Sequence, residues 1–134
     1  MPFVRFQELK VYTLAEELSD EIWRIVEKWN ALARDTVGKQ IVRSADSIGG
    51  NIAEGTGQGS RAGNRRHVYI ARGSFNETQH WLRRAYRRKL LTDEEIASLQ
   101  LKIEKLGPKL SAYLSSFSRS TTKPNPDAKE DGDN

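Results

Sequence analysis

Apolar residues in the first part of the chain fall at Val11, Ala15, Leu18, Ile22, Ile25 and Trp29. The steps alternate between four and three, which keeps one stripe of an α-helix facing inward. Leu14 and Val26 widen that stripe, and no proline interrupts it. The pattern predicts a first helix over residues 6–29, roughly 36 Å long at 1.5 Å per residue. After a short connection at residues 30–35, Val37, Ile41, Ala45, Ile48 and Ile52 predict a second helix over 36–54. Gly49 and Gly50 weaken it by about 1 kcal/mol each against alanine, so tertiary packing has to hold it there. Gly38, Ala45 and Gly49 permit close backbone approach, and Gly55, Gly57 and Gly59 end the helix.

Val68, Ala71, Phe75, Thr78, Leu82 and Ala85 form a regular seam and predict a third helix over 60–89, softened by Gly73 and Ser74. Thr92-Asp93-Glu94-Glu95 reads as a capping box opening a fourth helix. Its stripe comprises Ile96, Leu99, Ile103, Leu106, Leu110, Tyr113, Leu114 and Phe117. Pro108 lies inside that stripe and cannot donate to the carbonyl of Glu104, which predicts a kink. No segment alternates at period two long enough for a strand. The expected fold is therefore all-α, an antiparallel up-down-up-down four-helix bundle with a kinked last helix, over residues 1–118. Residues 119–134, rich in Ser, Thr, Pro, Asn and Asp, read as a disordered polar tail.

Composition narrows this picture. At 37% hydrophobic residues, the core has to come from one stripe per helix. The absence of cysteine excludes disulfides and thiolate metal sites and argues for a reducing compartment. No apolar signal region follows Met1-Pro2-Phe3-Val4-Arg5, and no run approaches the length of a membrane span. The expectation is a cytoplasmic protein with no membrane partner.

Charge changes the picture more. The net charge is only +4, yet residues 59–91 hold nine Lys/Arg against Glu77 alone, a local net of +8. On a helical wheel of about 100° per residue, Arg61, Arg65, Arg72, Arg83 and Arg87 fall within about 80° of one another, beside the apolar seam. Arg66, Arg84 and Arg88 lie further round, on the outer side. Guanidinium groups suit phosphate contacts, so Arg61, Arg65, Arg72, Arg83, Arg84, Arg87 and Arg88 are the candidate nucleic-acid-binding residues. A merely solvated face would mix signs, and this one carries almost no acid. No base-reading motif accompanies it.

Other candidates read as structural. Asn51 and Glu54, one turn apart, suit hydrogen bonds to backbone or arginine at a helix end. Arg43 and Asp46 could pair on the helix surface. His67 and His80 are the only histidines and lack the neighbours of a metal site. Gly55-Thr56-Gly57-Gln58-Gly59 is a turn, without the Lys-Ser/Thr element of a phosphate loop. Trp29 belongs to the core or bundle end. Trp23 and Trp81 lie at stripe margins, which suits a subunit interface, with base stacking by Trp81 as the lesser alternative. No catalytic residue, metal or cofactor is expected.

Two runs go beyond these patterns. One is Gln40-Ile41-Val42-Arg43-Ser44-Ala45-Asp46-Ser47-Ile48-Gly49-Gly50-Asn51-Ile52-Ala53-Glu54-Gly55, and the other is Ile70-Ala71-Arg72-Gly73-Ser74-Phe75-Asn76-Glu77. With Phe6-Gln7-Glu8-Leu9-Lys10-Val11-Tyr12 they resemble the 23S rRNA-intervening sequence proteins, a four-helix-bundle family related to the accessory variability determinants of diversity-generating retroelements. Gln40, Arg43, Ser44, Ser47, Asn51, Glu54, Gly55, Gly73, Ser74 and Glu77 match the family pattern. Gly49 departs from it, standing where a proline often follows Ser-Ile. The resemblance implies a homopentameric ring and, for the retroelement members, RNA and a reverse transcriptase as partners. It implies no catalytic residue. The function expected is that of a non-catalytic, oligomeric RNA-binding accessory or scaffold protein. The alternative is a structural homo-oligomer that binds an acidic protein partner.

Overall fold

A computed structural model describes Phe6 and residues 9–118 of the 134-residue chain. Among these residues the structure is all-helical, with four long helices and no strand: α1 (Lys10–Val26), α2 (Lys39–Thr56), α3 (Arg61–Arg87) and α4 (Asp93–Ser116). The tail expected at 119–134 lies outside the described residues. Helix α1 packs against α2 and α4, and α3 likewise packs against α2 and α4. Leu18, Ile22, Ile41, Ile48, Ile52, Val68, Leu106 and Leu110 are fully buried between them. All eight lie on the stripes that the hydrophobic periodicity defines.

The first helix is shorter than its apolar stripe. Leu9 is extended at φ −72° and ψ 125°, which starts the helix at Lys10 rather than near Phe6. At the other end, the amides of Lys28 and Trp29 reach only three residues back, to Ile25 and Val26. The chain turns there because Trp29 is drawn across the molecule, its Nε1 donating to the carbonyl of Leu90 at 3.0 Å.

The expected connection at residues 30–35 is also largely helical. Asn30 is extended, and its side chain caps the amide of Ala33 at 3.1 Å. Ala31–Ala33 and a π-helical turn, Arg34–Gly38, then run directly into α2. Ala33, Val37, Ile41 and Ala45 are all buried, at successive steps of four. Steps of four drift round a helix of 3.6 residues per turn, and a wider π turn absorbs part of that drift. Gly38 sits in this turn, where a Cβ would meet Val26 Cγ1 at 2.6 Å.

The remaining boundaries follow their caps. The Ser60 side chain accepts from the amide of Gly63 at 3.0 Å, so α3 begins at Arg61. Its far end closes with the amide of Leu90 on the carbonyl of Ala85 at 2.9 Å and that of Lys89 on Tyr86 at 3.0 Å. This places Lys89 at φ 60°, in the left-handed position where helix ends usually carry glycine. The capping box of α4 is present, with the Glu95 amide on Thr92 Oγ1 at 3.1 Å and the Thr92 amide on Glu95 Oε1 at 2.8 Å. Pro108 lies inside α4, whose helix continues past it to Ser116.

Candidate nucleic-acid interface

Helix α3 presents two unlike flanks. The flank toward α2 is a ladder of polar contacts. Thr78 Oγ1 donates to Ser44 Oγ at 2.9 Å, with both residues fully buried. One step along, Ser74 Oγ donates to Ser47 Oγ at 2.9 Å. Asn51 donates through Nδ2 to the Ser47 carbonyl at 2.9 Å, and its Oδ1 lies 3.2 Å from His67 Nδ1. Glu54 approaches the same imidazole nitrogen at 3.7 Å. At the other end of the ladder Glu77 accepts from Arg43 and, at 3.1 Å, from Trp81 Nε1. Arg43 is further steadied by Gln40 Oε1, at 3.3 Å from Nε and 3.2 Å from the terminal nitrogen. The backbones come close where Gly55 sits, since a Cβ there would lie 2.6 Å from Asn64 Oδ1 and 3.2 Å from the Asn64 carbonyl.

This ladder corrects several expectations. Arg43 pairs with Glu77 of α3 rather than with Asp46, which accepts from Ser19 instead. Asn51 bonds backbone as anticipated, but both it and Glu54 turn to His67 and not to arginine. Trp81 is committed by its indole N–H and packs against the core, so its ring is poorly placed as a platform for a base. Trp23, by contrast, is 57% exposed on α1.

The other flank of α3 carries the basic row. Arg61 leaves it: its guanidinium donates to the carbonyls of Phe117 and Ser116 at 3.1 and 2.5 Å and lies over the Phe117 ring. A cation in the first turn of α3 opposes the helix dipole, whereas the carbonyl end of α4 welcomes it. Arg84 and Arg87 occupy the last turn of α3 and Arg88 caps it, where the dipole favours positive charge by roughly 0.3–1 kcal/mol each. That benefit does not extend to Arg65, Arg72 and Arg83, which lie outside the last turn. Arg65 and Arg72 flank the ring of Tyr69, with guanidinium carbons 5.6 and 4.9 Å from its centroid. Arg83 lies further along, on the rim of an apolar groove of about 340 Å³ between α3 and α4, beside Leu82, Tyr86, Leu99 and Ile103.

The acids of α1 do not neutralise this row. Glu21 is tied to Lys102 at 3.0 Å and to Ser98, and Glu16 accepts from Tyr12 at 3.2 Å. Among the described residues no acidic side chain forms an ion pair with Arg66, Arg72, Arg83, Arg84, Arg87 or Arg88. Glu77, the one acid of α3, is engaged on the opposite flank by Arg43. Sequence reasoning located the arginines but passed over Tyr69, whose signal is an aromatic at i+4 from one arginine and i−3 from the next.

The description of 23S rRNA-intervening sequence proteins matches residues 7–112. The chain belongs to that family. No curated protein matches it. A solved structure from Bacteroides thetaiotaomicron, a protein with unknown function from the S23 ribosomal protein family, is 28% identical. It superposes with a TM-score of 0.71, covering 78% of this chain and 97% of its own. The matched span takes in α1, α2 and α3 completely and most of α4. For this intervening sequence protein, the residues that carried the family resemblance are largely those of the α2–α3 ladder. Gln40, Arg43, Ser44, Ser47, Asn51, Ser74 and Glu77 all take part in it, and Gly55 allows its close approach. Among the described residues, no group of three or more His, Asp or Glu is placed to hold a metal ion, and no helix is long and apolar enough to cross a membrane.

Proposed function

We propose that this protein is a non-catalytic, oligomeric RNA-binding accessory or scaffold protein of the cytoplasm, using the outward flank of α3 as its phosphate-binding surface. The observation that carries this reading is that, among the described residues, no acidic side chain forms an ion pair with Arg66, Arg72, Arg83, Arg84, Arg87 or Arg88, while Glu77, the one acid of α3, is engaged by Arg43. Structure alone accounts for Arg61 and, through the helix dipole, for the last-turn arginines. It gives Arg72 the ring of Tyr69 alone and, among the described residues, gives Arg83 no ion-pair partner. Aligned guanidinium groups of this kind neutralise a polyanion and release its counterions.

The bundle in this reading is antiparallel and up-down-up-down, bent at Pro108. Contacts that pair 44 with 78, 47 with 74 and 51 with 67 support opposite senses for α2 and α3. Assembly into a ring, pentameric by family resemblance, would repeat the basic flank and give a long strand many weak contacts. A reverse transcriptase is the protein partner that the same resemblance suggests. The groove beside Arg83 favours a second reading, in which an acidic protein partner seats an apolar side chain there.

The test is RNA affinity of the intact protein across a salt series, with a light-scattering mass on the same sample. The proposal expects log K to fall linearly with log salt and a mass that is a small multiple of the 15.2 kDa chain. Absence of RNA binding at low salt, or affinity indifferent to salt, rejects the phosphate surface. A clean monomer rejects the oligomer.

A further inference from the structure

Tyr69 is 48% exposed and does not belong to the aromatic side chains packed on the core, as Trp81 and Tyr113 do. An aromatic ring left outside needs another reason for its place. Its setting supplies one: Arg65 precedes it by one turn, Arg72 follows it by one turn, and both guanidinium groups approach the ring. Cation–π attraction holds planar, positively charged groups about an accessible π surface. Asn76, exposed one further turn along, accepts from Gln79 and adds amide groups beside the row. Arg83 and Arg87 continue it roughly 21 and 27 Å from Tyr69 along the helix axis, at 1.5 Å per residue.

We infer that Tyr69, with Arg65 and Arg72, is a stacking platform for an unpaired nucleobase, so that the α3 surface takes single-stranded in preference to duplex nucleic acid. The inference rests on the proposed phosphate-binding reading and deepens it. Arginines alone would accept either form, because both present phosphates. A stacking ring discriminates, because bases inside a duplex already stack on one another and offer their faces only where the helix opens. Sequence tolerance follows, since every base has a π face. The guanidinium planes extend the same platform, and the N–H groups of Arg72 reach a flanking phosphate.

The experiment compares three probes on the intact protein: an oligouridine of about 12 nucleotides, the same backbone without bases, and a duplex of matching length. Wild-type protein is expected to bind the oligouridine about tenfold more tightly than the abasic strand. Tyr69→Leu removes the ring while keeping helix propensity and an apolar cover. It should lose about tenfold on oligouridine, little on the duplex or abasic strand, and none of the salt slope. Tyr69→Phe should behave as wild type, which separates the ring from the hydroxyl. Equal losses on all three probes would make Tyr69 a mere support for the arginines and overturn the inference. Unchanged affinity in Tyr69→Leu would overturn it too, as would dissociation of the oligomer by that substitution, which would mark a subunit contact. If wild-type protein binds none of the probes, the phosphate surface itself fails, an outcome distinct from the others.

Discussion

The two flanks of α3 show how one helix divides its work. Toward α2, side chains are small, hydroxylated or amidic, and each finds a partner on the facing helix: Ser44 with Thr78, Ser47 with Ser74, Asn51 with His67. Away from α2, the residues are long and basic, and their neighbours are Tyr69 and an open groove. Hydroxyl pairs in a buried seam add little net energy but are costly to leave unmatched, so they fix the register of the two helices. Among the described residues, Arg72, Arg83 and Arg87 form no ion pair with a facing helix. Residues that identify the family thus lie mainly on the flank that sets the fold, while the residues assigned to binding lie on the other.

This contrast can be attacked from both sides. The largest expected effect is at Gly55. A methyl group there displaces the Asn64 side chain, whose Oδ1 would lie at 2.6 Å, and crowds His67 Cβ and the Asn64 carbonyl, so Gly55→Ala should cost about 2 kcal/mol by overpacking. Thermal unfolding should read this as a fall of several degrees, while the Arg–Tyr69 row stays intact. Thr78→Val removes one rung of the ladder. A loss of about 1 kcal/mol is expected in denaturant unfolding, since Ser44 keeps its bond to the Ile41 carbonyl. RNA affinity should not change. If either variant, still folded, lost RNA binding as strongly as an arginine variant, the division between flanks would collapse.

Two smaller changes should raise stability. Lys89 holds a left-handed conformation without being glycine, and Lys89→Gly should gain about 1 kcal/mol by relieving it. The same variant removes one charge, so a slight weakening on RNA should accompany a higher melting temperature. Gly73 lies mid-helix on the exposed side, where an added Cβ meets nothing within 4 Å. Gly73→Ala should therefore gain roughly 0.5–1 kcal/mol from helix propensity. A loss of oligomer mass in Gly73→Ala would instead place this glycine against a second copy.

Sequence periodicity revealed the helices and most of the core, because one apolar stripe per helix leaves a regular signature. Thr92 and Glu95 announced the start of α4 for a similar reason: a capping box is a local pattern with a local mechanism. What stayed hidden was non-local. The bond from Trp29 to Leu90 ends α1 early, yet its partners are 61 residues apart. The π turn at Arg34–Gly38 has no short motif, and Arg34 and Asp35 looked like the end of a loop. At the candidate site, wheel position correctly grouped Arg65 and Arg72 but could not tell that Arg61 bends back onto the carbonyls of Ser116 and Phe117. Nor could Ser44, Ser47 and Asn51 be read as a ladder before α3 was laid beside them.

The most direct measurement is the salt dependence of RNA binding for a variant carrying Arg65→Gln, Arg72→Gln, Arg83→Gln and Arg87→Gln, with its mass and melting curve taken alongside. Glutamine removes each charge and keeps helix propensity. Each phosphate contact on a single strand contributes about 0.7 to the slope of log K against log salt, so the slope should fall by about 2 to 3, with fold and oligomer unchanged. An intact quadruple variant with wild-type affinity and slope would contradict the assignment of this flank of α3 to RNA.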